Sequence, residues 1–297
     1  MSWSLDPATV RDRRVLITGA NSGLGFEATR ALTSLGAHVL MACRNPARAE
    51  AARDRILSFT PDAKLELVEL DLGSLESVKA GAEHVSSTWD HLDLLLNNAG
   101  LMAPDPTLTV DGFEQQVGVN HLGHFALTAH LMPLLEEADA ARVVTHTSMG
   151  HRLVRAYPHV ESLERYDRWN SYFYSKLANL LFTAELTRRL EKKGSTVTAA
   201  AAHPGGARTE LTREGSALTN ELFRFFMPWV TQTADRGVLP LLRAATDPSA
   251  PSGSFFGPRW MVWGEPTLET PSERARDTDE AYNLWEQSVR WTGLSPV

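Results

Sequence analysis

The stretch RVLITGANSGLGFEATR, Arg14 to Arg30, decides the fold. RVLIT is a near-continuous apolar run of strand length, and FEATRALTSLG beyond the glycines has helical apolar spacing, with Gly36 as its stop. Between them lies TGANSGLG, in which Gly19, Gly23 and Gly25 are spaced by Asn21, Ser22 and Leu24. Glycines at such a junction permit a tight turn and let backbone N–H groups approach a pyrophosphate at the N-terminus of the following helix. Three glycines alone are a weak signal. Their place between the first strand and first helix of a repeating pattern makes the dinucleotide reading strong.

That pattern continues outward. HVLMA from His38, LELVEL from Leu65, LDLLLN from Leu92, RVVTHT from Arg142 and VTAAA from Val197 are further strand candidates. Helical stretches such as PARAEAARDRIL after Asn45 lie between them. Most of the runs lack polar alternation, as strands buried on both faces require. Strand, helix, strand, repeated, gives a parallel sheet with right-handed crossovers. The expectation is an α/β fold: a single-domain, doubly wound parallel sheet of about seven strands with helices on both faces. No repeat or linker divides residues 1–297; a cofactor half is expected over about 10–150, with substrate loop and lid regions over about 149–170 and 205–265. Met149 to Trp169 is polar and rich in Arg and His, which suits an insertion loop or short helix. The final third concentrates Pro and holds five of the eight tryptophans, Trp229, Trp260, Trp263, Trp285 and Trp291. That composition suits irregular structure over an apolar site, or core filling at the last sheet edge.

Composition excludes several classes. A chain of 297 residues with 43% hydrophobic and 22% charged content is ordinary for a soluble globular protein with a sizeable core. A net charge of -7 argues against a nucleic-acid partner. Cys43, the only cysteine, excludes an internal disulfide and fits a reducing compartment. With no apolar run of about 18 residues and no signal-like N-terminus, the expectation is a cytoplasmic protein without a membrane anchor.

NSYFYSK, Asn170 to Lys176, raises the question of chemistry, because only five of the 29 basic residues are lysine. On a helix, which the spacing of SKLANLLFTAELTRRLEKK supports, Tyr172 and Lys176 share a face while Tyr174 and Lys176 point apart. A phenol titrates near pH 10, and an ammonium within about 6 Å favours its anion. The pairing therefore predicts a depressed Tyr172 that exchanges protons near neutrality. A compact ammonium also suits a ribose hydroxyl. Lys192 and Lys193 read instead as helix C-terminal charges that complement the dipole. His121 and His124 are three apart, as metal ligands on a helix can be, but no acidic or cysteine partner flanks them and no metal is expected.

Together these motifs resemble the short-chain dehydrogenase/reductase superfamily in its single-domain branch, whose glycine spacing is G-x-x-x-G-x-G and whose fold is of Rossmann type. ANSGLGFE, ACRN, LDLGSLESV, VNHLGHFALT, YSKLANLLFTAEL, HPGGARTEL and the tail AYNLWEQSVRWTG are similar to its retinol-dehydrogenase-like and WW-domain-oxidoreductase-like group, in particular the soluble bacterial type. The resemblance implies a catalytic set. Ser148, ending VVTHTS, would hold the substrate oxygen, Tyr172 would act as acid and base, Lys176 would bias the phenol, and Asn120 in VGVNHLGHF would support a water relay to the lysine. It also implies cofactor contacts. Asp71 and Leu72 match an adenine-contacting pair, and Asn98, Ala99 and Gly100 of NNAG match a motif beside the nicotinamide ribose. Pro204 and Gly205 of HPGGAR (His203 to Arg208) match the motif after the sixth strand, Thr209 would touch the carboxamide, and Tyr172 and Lys176 would border the ribose.

The second strand ends in MACRN, with Cys43 where an NAD site carries an acid and Arg44 next. A guanidinium grips a 2′-phosphate that an acid would repel, so NADP is expected rather than NAD. The expected function is an NADP(H)-dependent oxidoreductase interconverting a hydrophobic alcohol and its ketone or aldehyde, with Met149, Leu153, Phe225, Phe226 and Trp229 as an apolar wall. The alternative is a non-catalytic NADP-binding regulatory or scaffold protein on the same fold, since fold does not fix function. A dehydratase or epimerase using the same Tyr/Lys pair is a weaker third. A homodimer or homotetramer is expected.

Overall fold

The computed structural model describes residues 3–206 and 232–297. Arg208, Thr209, Phe225, Phe226 and Trp229 therefore lie outside the described residues. The elements run β1 (Arg14–Thr18), α1 (Gly23–Ser34), β2 (His38–Cys43), α2 (Pro46–Phe59), β3 (Lys64–Glu69), α3 (Leu75–Thr88) and β4 (Leu94–Asn97). They continue as α4 (Gly123–Glu136), β5 (Arg142–His146), α5 (Arg168–Lys193), β6 (Thr198–Ala202), α6 (Leu239–Thr246), β7 (Ser254–Pro258), β8 (Pro266–Leu268) and α7 (Thr278–Thr292).

Among the described residues these strands form one sheet in the order β3-β2-β1-β4-β5-β6-β7-β8. β1 to β7 pair in parallel, and β8 returns antiparallel to β7. All six strand candidates are present as β1 to β6, so the doubly wound α/β expectation holds. The hairpin edge carries the count to eight, against about seven expected. SFFGP and PTL were illegible as strands because they are short and contain proline, which belongs at edges and strand ends.

Continuous apolar strands are explained by two covered faces. Val15 and Ile17 point into one layer with Leu32, Ile56 and Leu241, while Leu16 and Leu95 point into the other with Phe125, Phe182 and Trp285. Each such side chain contributes roughly 1.5–3 kcal/mol on burial. Phe125, Phe182 and Trp285 meet at centroid distances of 5.7, 5.0 and 5.9 Å, which fixes α7 against α4 and α5. The tryptophans of the last third thus divide: Trp285 fills core, whereas Trp260 and Trp263 are 58% and 59% exposed.

Local chemistry sets the helix ends. Asn45 caps α2 by accepting from the Arg48 N–H at 3.0 Å, with Pro46 at the first helical position. Asp167 caps α5, which closes on Gly194 in the left-handed region (φ 72) with Lys192 and Lys193 in its last turn, as expected. Met149 to Trp169 opens with a 3-10 turn (Met149–Leu153) and reaches the start of α5 without further helix. The strand order reverses between β1 and β4, so a crevice opens at their carboxyl ends.

Candidate active site

A cavity of about 520 Å³ occupies that crevice. One wall is the glycine loop, Gly19, Asn21, Ser22, Gly23, Leu24 and Gly25. The loop closes so tightly that a Cβ on Gly25 would run into the Gly19 carbonyl oxygen and lie 2.6 Å from Asn98 Nδ2. Gly19 and Gly23 sit at φ 66 and 53, which glycine adopts without strain. Ser22 makes no side-chain cap, so the first-turn N–H groups of α1 remain for a ligand at the cavity. The opposite wall is Asp71, Leu72, Asn98, Ala99 and Gly100, and Arg44 stands at the end of β2. A bare-backbone cradle, an open helix N-terminus and a guanidinium fit a dinucleotide phosphate chain.

The predicted catalytic side chains converge beside Gly100. A Cβ at that glycine would lie 3.2 Å from both Lys176 Nζ and Asn120 Oδ1. Lys176 Nζ stands over the Tyr172 ring, 5.8 Å from its centroid, as one helical turn of α5 requires. The Ser148 hydroxyl stands near enough to Tyr172 to draw its phenol down, and accepts from the Gly150 N–H at 3.1 Å. α5 is held to β5 by Thr147 Oγ1 donating to the Lys176 carbonyl at 2.7 Å and Asn179 Nδ2 donating to the His146 carbonyl at 2.9 Å. Tyr174 turns away, packing on Tyr157 at 5.6 Å.

The electrostatics differ from the expected depression of the phenol. Burial pushes Tyr172 above its ordinary value of 10, and the neighbouring Ser148 hydroxyl draws it only partly back. Burial likewise lowers Lys176 from 10.5 to about 8. Both groups are withdrawn from water, and burial is the leading cause of each shift.

Asn120 lies in a π-helical turn, Gly118–Leu122, that leads into α4. Its side chain is spent on structure: Oδ1 accepts from the Leu101 N–H at 2.7 Å, and Nδ2 donates to the Leu101 carbonyl and Ser175 Oγ at 3.0 and 2.9 Å. Its carbonyl oxygen is the group left facing a donor, His124 Nδ1 at 3.0 Å. His121 and His124 diverge onto Ser288 and Thr18, and no three metal-binding side chains cluster among the described residues. Pro204 and Gly205 stand outside the cavity wall, Pro204 accepting from Gln232 Nε2 at 2.9 Å. Met149 is half-buried and Leu153 is 57% exposed.

Three polar residues at the cavity, Asn45, Arg48 and His146, escaped the sequence reading. Asn45 lines it as the cap of α2 and Arg48 from the first turn of that helix, and an Arg four residues past Arg44 was the available signal. His146, at the end of β5, bonds to Asn98 Oδ1 through Nδ1 at 3.1 Å. Thr18, outside the wall, accepts from both the Asn98 and Ala99 N–H groups at 2.9 and 3.0 Å and so shapes NNAG.

A glycine cradle at the switch point with tyrosine, lysine and serine beside it defines an oxidoreductase of the dinucleotide-binding class. The chain belongs to the short chain dehydrogenase family, whose model matches residues 13–218. It is 39% identical to human retinol dehydrogenase 12 over 282 residues, covering 94% of this chain and 86% of that protein. It is 37% identical to mouse retinol dehydrogenase 14, covering 97% and 88%. Among solved structures it is similar to an uncharacterised protein from Mycobacterium paratuberculosis, at 40% identity, a TM-score of 0.78 and full coverage of both chains. A short chain dehydrogenase from Escherichia coli CFT073 complexed with NADPH shares 26% identity with a TM-score of 0.68, covering 85% of this chain and 98% of that one. No helix among the described residues is long and apolar enough to cross a membrane.

Proposed function

We propose that this chain is an NADP(H)-dependent oxidoreductase that interconverts a hydrophobic alcohol and its ketone or aldehyde. The observation that carries the reading is the junction at Gly100, where a cavity-wall glycine, Lys176 Nζ and Asn120 meet beside Tyr172 and Ser148. Gly19, Asn21, Ser22, Gly23, Leu24 and Gly25 hold the pyrophosphate, Asp71 and Leu72 border the adenine, and Asn98, Ala99 and Gly100 border the nicotinamide side. Pro204 and Gly205, which stand outside the cavity wall, and Thr209, outside the described residues, are the remaining cofactor contacts of this reading. When bound, the nicotinamide supplies or accepts the hydride.

The protein supplies the proton and its placement. Ser148 fixes the substrate oxygen within reach of the Tyr172 hydroxyl. A phenol held above its ordinary value keeps its proton at neutrality, and an alkoxide developing on the substrate is a far stronger base than a phenolate. Donation to it is therefore downhill. Lys176 stabilises the phenolate that remains, and Asn120, fixed by Leu101 and Ser175, would support a water relay to the lysine through its carbonyl, shared with His124. Relatives named retinol dehydrogenases support an apolar alcohol as the substrate class. The segments 149–170 and 205–265 set its shape.

Arg44, with Arg48 one turn further along the same wall, reads the 2′-phosphate. Arg44→Ala should raise the NADPH Kd by about tenfold, as loss of a charge-assisted bond worth roughly 1.5–3 kcal/mol requires, and leave NADH unchanged. Equal effects on both nucleotides, measured by fluorescence titration, would remove the NADP assignment.

Lys176 gives a second test, in stability against pH. Its folded value, about 8, lies below its unfolded value of 10.5, so between those values the unfolded chain holds more protons. The cost of its burial is present in full below about pH 8 and fades towards 10.5. Lys176→Met should therefore unfold at higher urea than the parent at pH 7, by up to about 3 kcal/mol. That advantage should shrink by pH 10. A constant gap across this range, or none, contradicts a buried ammonium.

A further inference from the structure

Two buried histidines remain outside the roles assigned so far, His151 and His203, exposed by 2% and 1%. Both rings pack on Phe255 of β7, at 5.7 and 5.3 Å. Hydrogen bonding fixes where each carries its proton. His203 Nδ1 accepts from the Gly205 N–H at 3.1 Å, so its proton sits on Nε2, which donates to the Glu269 carboxylate at 3.1 Å. His151 is the reverse: Nδ1 donates to the Ser148 carbonyl at 2.7 Å, and Nε2 accepts from the Ser272 N–H at 3.3 Å. A peptide N–H cannot accept and a carbonyl cannot donate, so the two rings hold opposite tautomers.

The far partners of both histidines belong to one short stretch after β8, Glu269 to Ser272. Arg152 adds a third tie there, Nη2 donating to the Thr270 carbonyl at 2.9 Å. We propose that Glu269–Ser272 is a brace that, through His203 and His151, positions the backbone of Gly205 and Ser148. Glu269, His203 and His151 are then positioning residues. An acceptor-only carboxylate compels His203 to protonate Nε2, which leaves Nδ1 free to take the Gly205 N–H. Without that acceptor the ring gains nothing from this tautomer, and the turn loses its anchor.

The surrounding space is built to match. A Cβ on Gly257 would collide with both His203 Nε2 and Glu269 Oε1, so β7 has to be bare where the pair sits. Gly205 is left-handed (φ 65), and a Cβ on it would lie 2.6 Å from Pro258 Cγ and 2.5 Å from the Val262 carbonyl oxygen. The turn is thus pressed against the β7–β8 hairpin on one side and tied to His203 on the other. The brace rests on the proposed function only for what Ser148 and Gly205 do at the site.

Nitrogen-15 histidine spectra of the ligand-free protein test it directly. His203 should show a protonated Nε2 and His151 a protonated Nδ1; the same tautomer at both overturns the proposal. In Glu269→Leu, His203 should lose its single tautomer, the Gly205 amide resonance should move, and the NADPH Kd should rise about fivefold, as loss of a hydrogen-bonded anchor worth about 1 kcal/mol requires. An unchanged His203 spectrum with an unchanged Kd overturns it. Should that variant fail to fold, His203→Asn and His203→Leu replace it. The Asn Oδ1 stands where Nδ1 does and should keep NADPH affinity, while Leu should lose it; equal affinities for the two count against the brace. If the parent itself does not bind NADPH, the cofactor reading falls, and the tautomers and the Gly205 resonance judge the brace alone.

Discussion

Tyr172→Phe should lower turnover by about three orders of magnitude while leaving the NADPH Kd within about twofold, because general acid–base groups contribute roughly 10²–10⁴-fold and that is the role proposed for this phenol. The substitution removes one oxygen and little else. The ring stays packed on Trp169 and Phe173 at 6.5 and 6.0 Å, and Lys176 still stands over its face. Stability should accordingly change little. Tyr174→Phe is the matched control: it packs on Tyr157 in a separate cluster, and its activity should stay within about twofold of the parent. Comparable losses in the two variants would mean that the sharing of a helical face by Tyr172 and Lys176 has no chemical consequence.

The second large effect concerns the cradle. A methyl group at Gly25 meets the Gly19 carbonyl oxygen and Asn98 Nδ2, neither of which is the free end of a flexible side chain. Asn98 Nδ2 already donates to the Thr18 carbonyl at 2.9 Å, so moving it also breaks the tie between β1 and NNAG. Gly25→Ala should weaken NADPH binding by more than about 100-fold and cost about 3 kcal/mol of stability, the upper end for overpacking a tight contact. Titration and thermal unfolding of one preparation measure both. An alanine variant that binds NADPH within threefold of the parent would show that the loop does not approach the cofactor.

The first two thirds of the chain were legible because their physics is local. RVLIT, HVLMA and RVVTHT are apolar without alternation, since helices cover both faces of the sheet, and Gly36 marks the exit from α1 at φ 90. The glycine loop and the α5 pair were also legible, since spacing alone sets which residues share a turn or a face. What spacing cannot carry is burial. It predicted a depressed phenol from one nearby charge, whereas the folded chain removes both Tyr172 and Lys176 from water and shifts each towards its neutral form. Nor can it carry long-range partners. His203 meets Glu269 66 residues away and His151 meets Ser272 121 residues away, pairs that exist only because β7 lies beside β6. Arg48 was a nearer miss, since its helix start was read correctly and only its direction towards the cavity was not.

The side chain of Asn120 serves as a staple between Leu101 and Ser175, and its carbonyl faces His124 Nδ1 at 3.0 Å, so a water relay from Lys176 has to share that carbonyl with the histidine. π-helical turns such as the one that holds Asn120 occur frequently at functional sites.

The central claim is that hydride and proton reach one carbonyl group at this junction. NADPH carrying deuterium at nicotinamide C4, incubated with the protein and a panel of apolar ketones and aldehydes, measures it by mass spectrometry of the products. The account predicts at least one alcohol bearing a single deuterium on the former carbonyl carbon, formed by the parent and at under about one hundredth of that rate by Tyr172→Phe. Deuterated alcohol formed equally fast by both proteins would contradict it, as would NADPH left unconsumed by the parent across the whole panel.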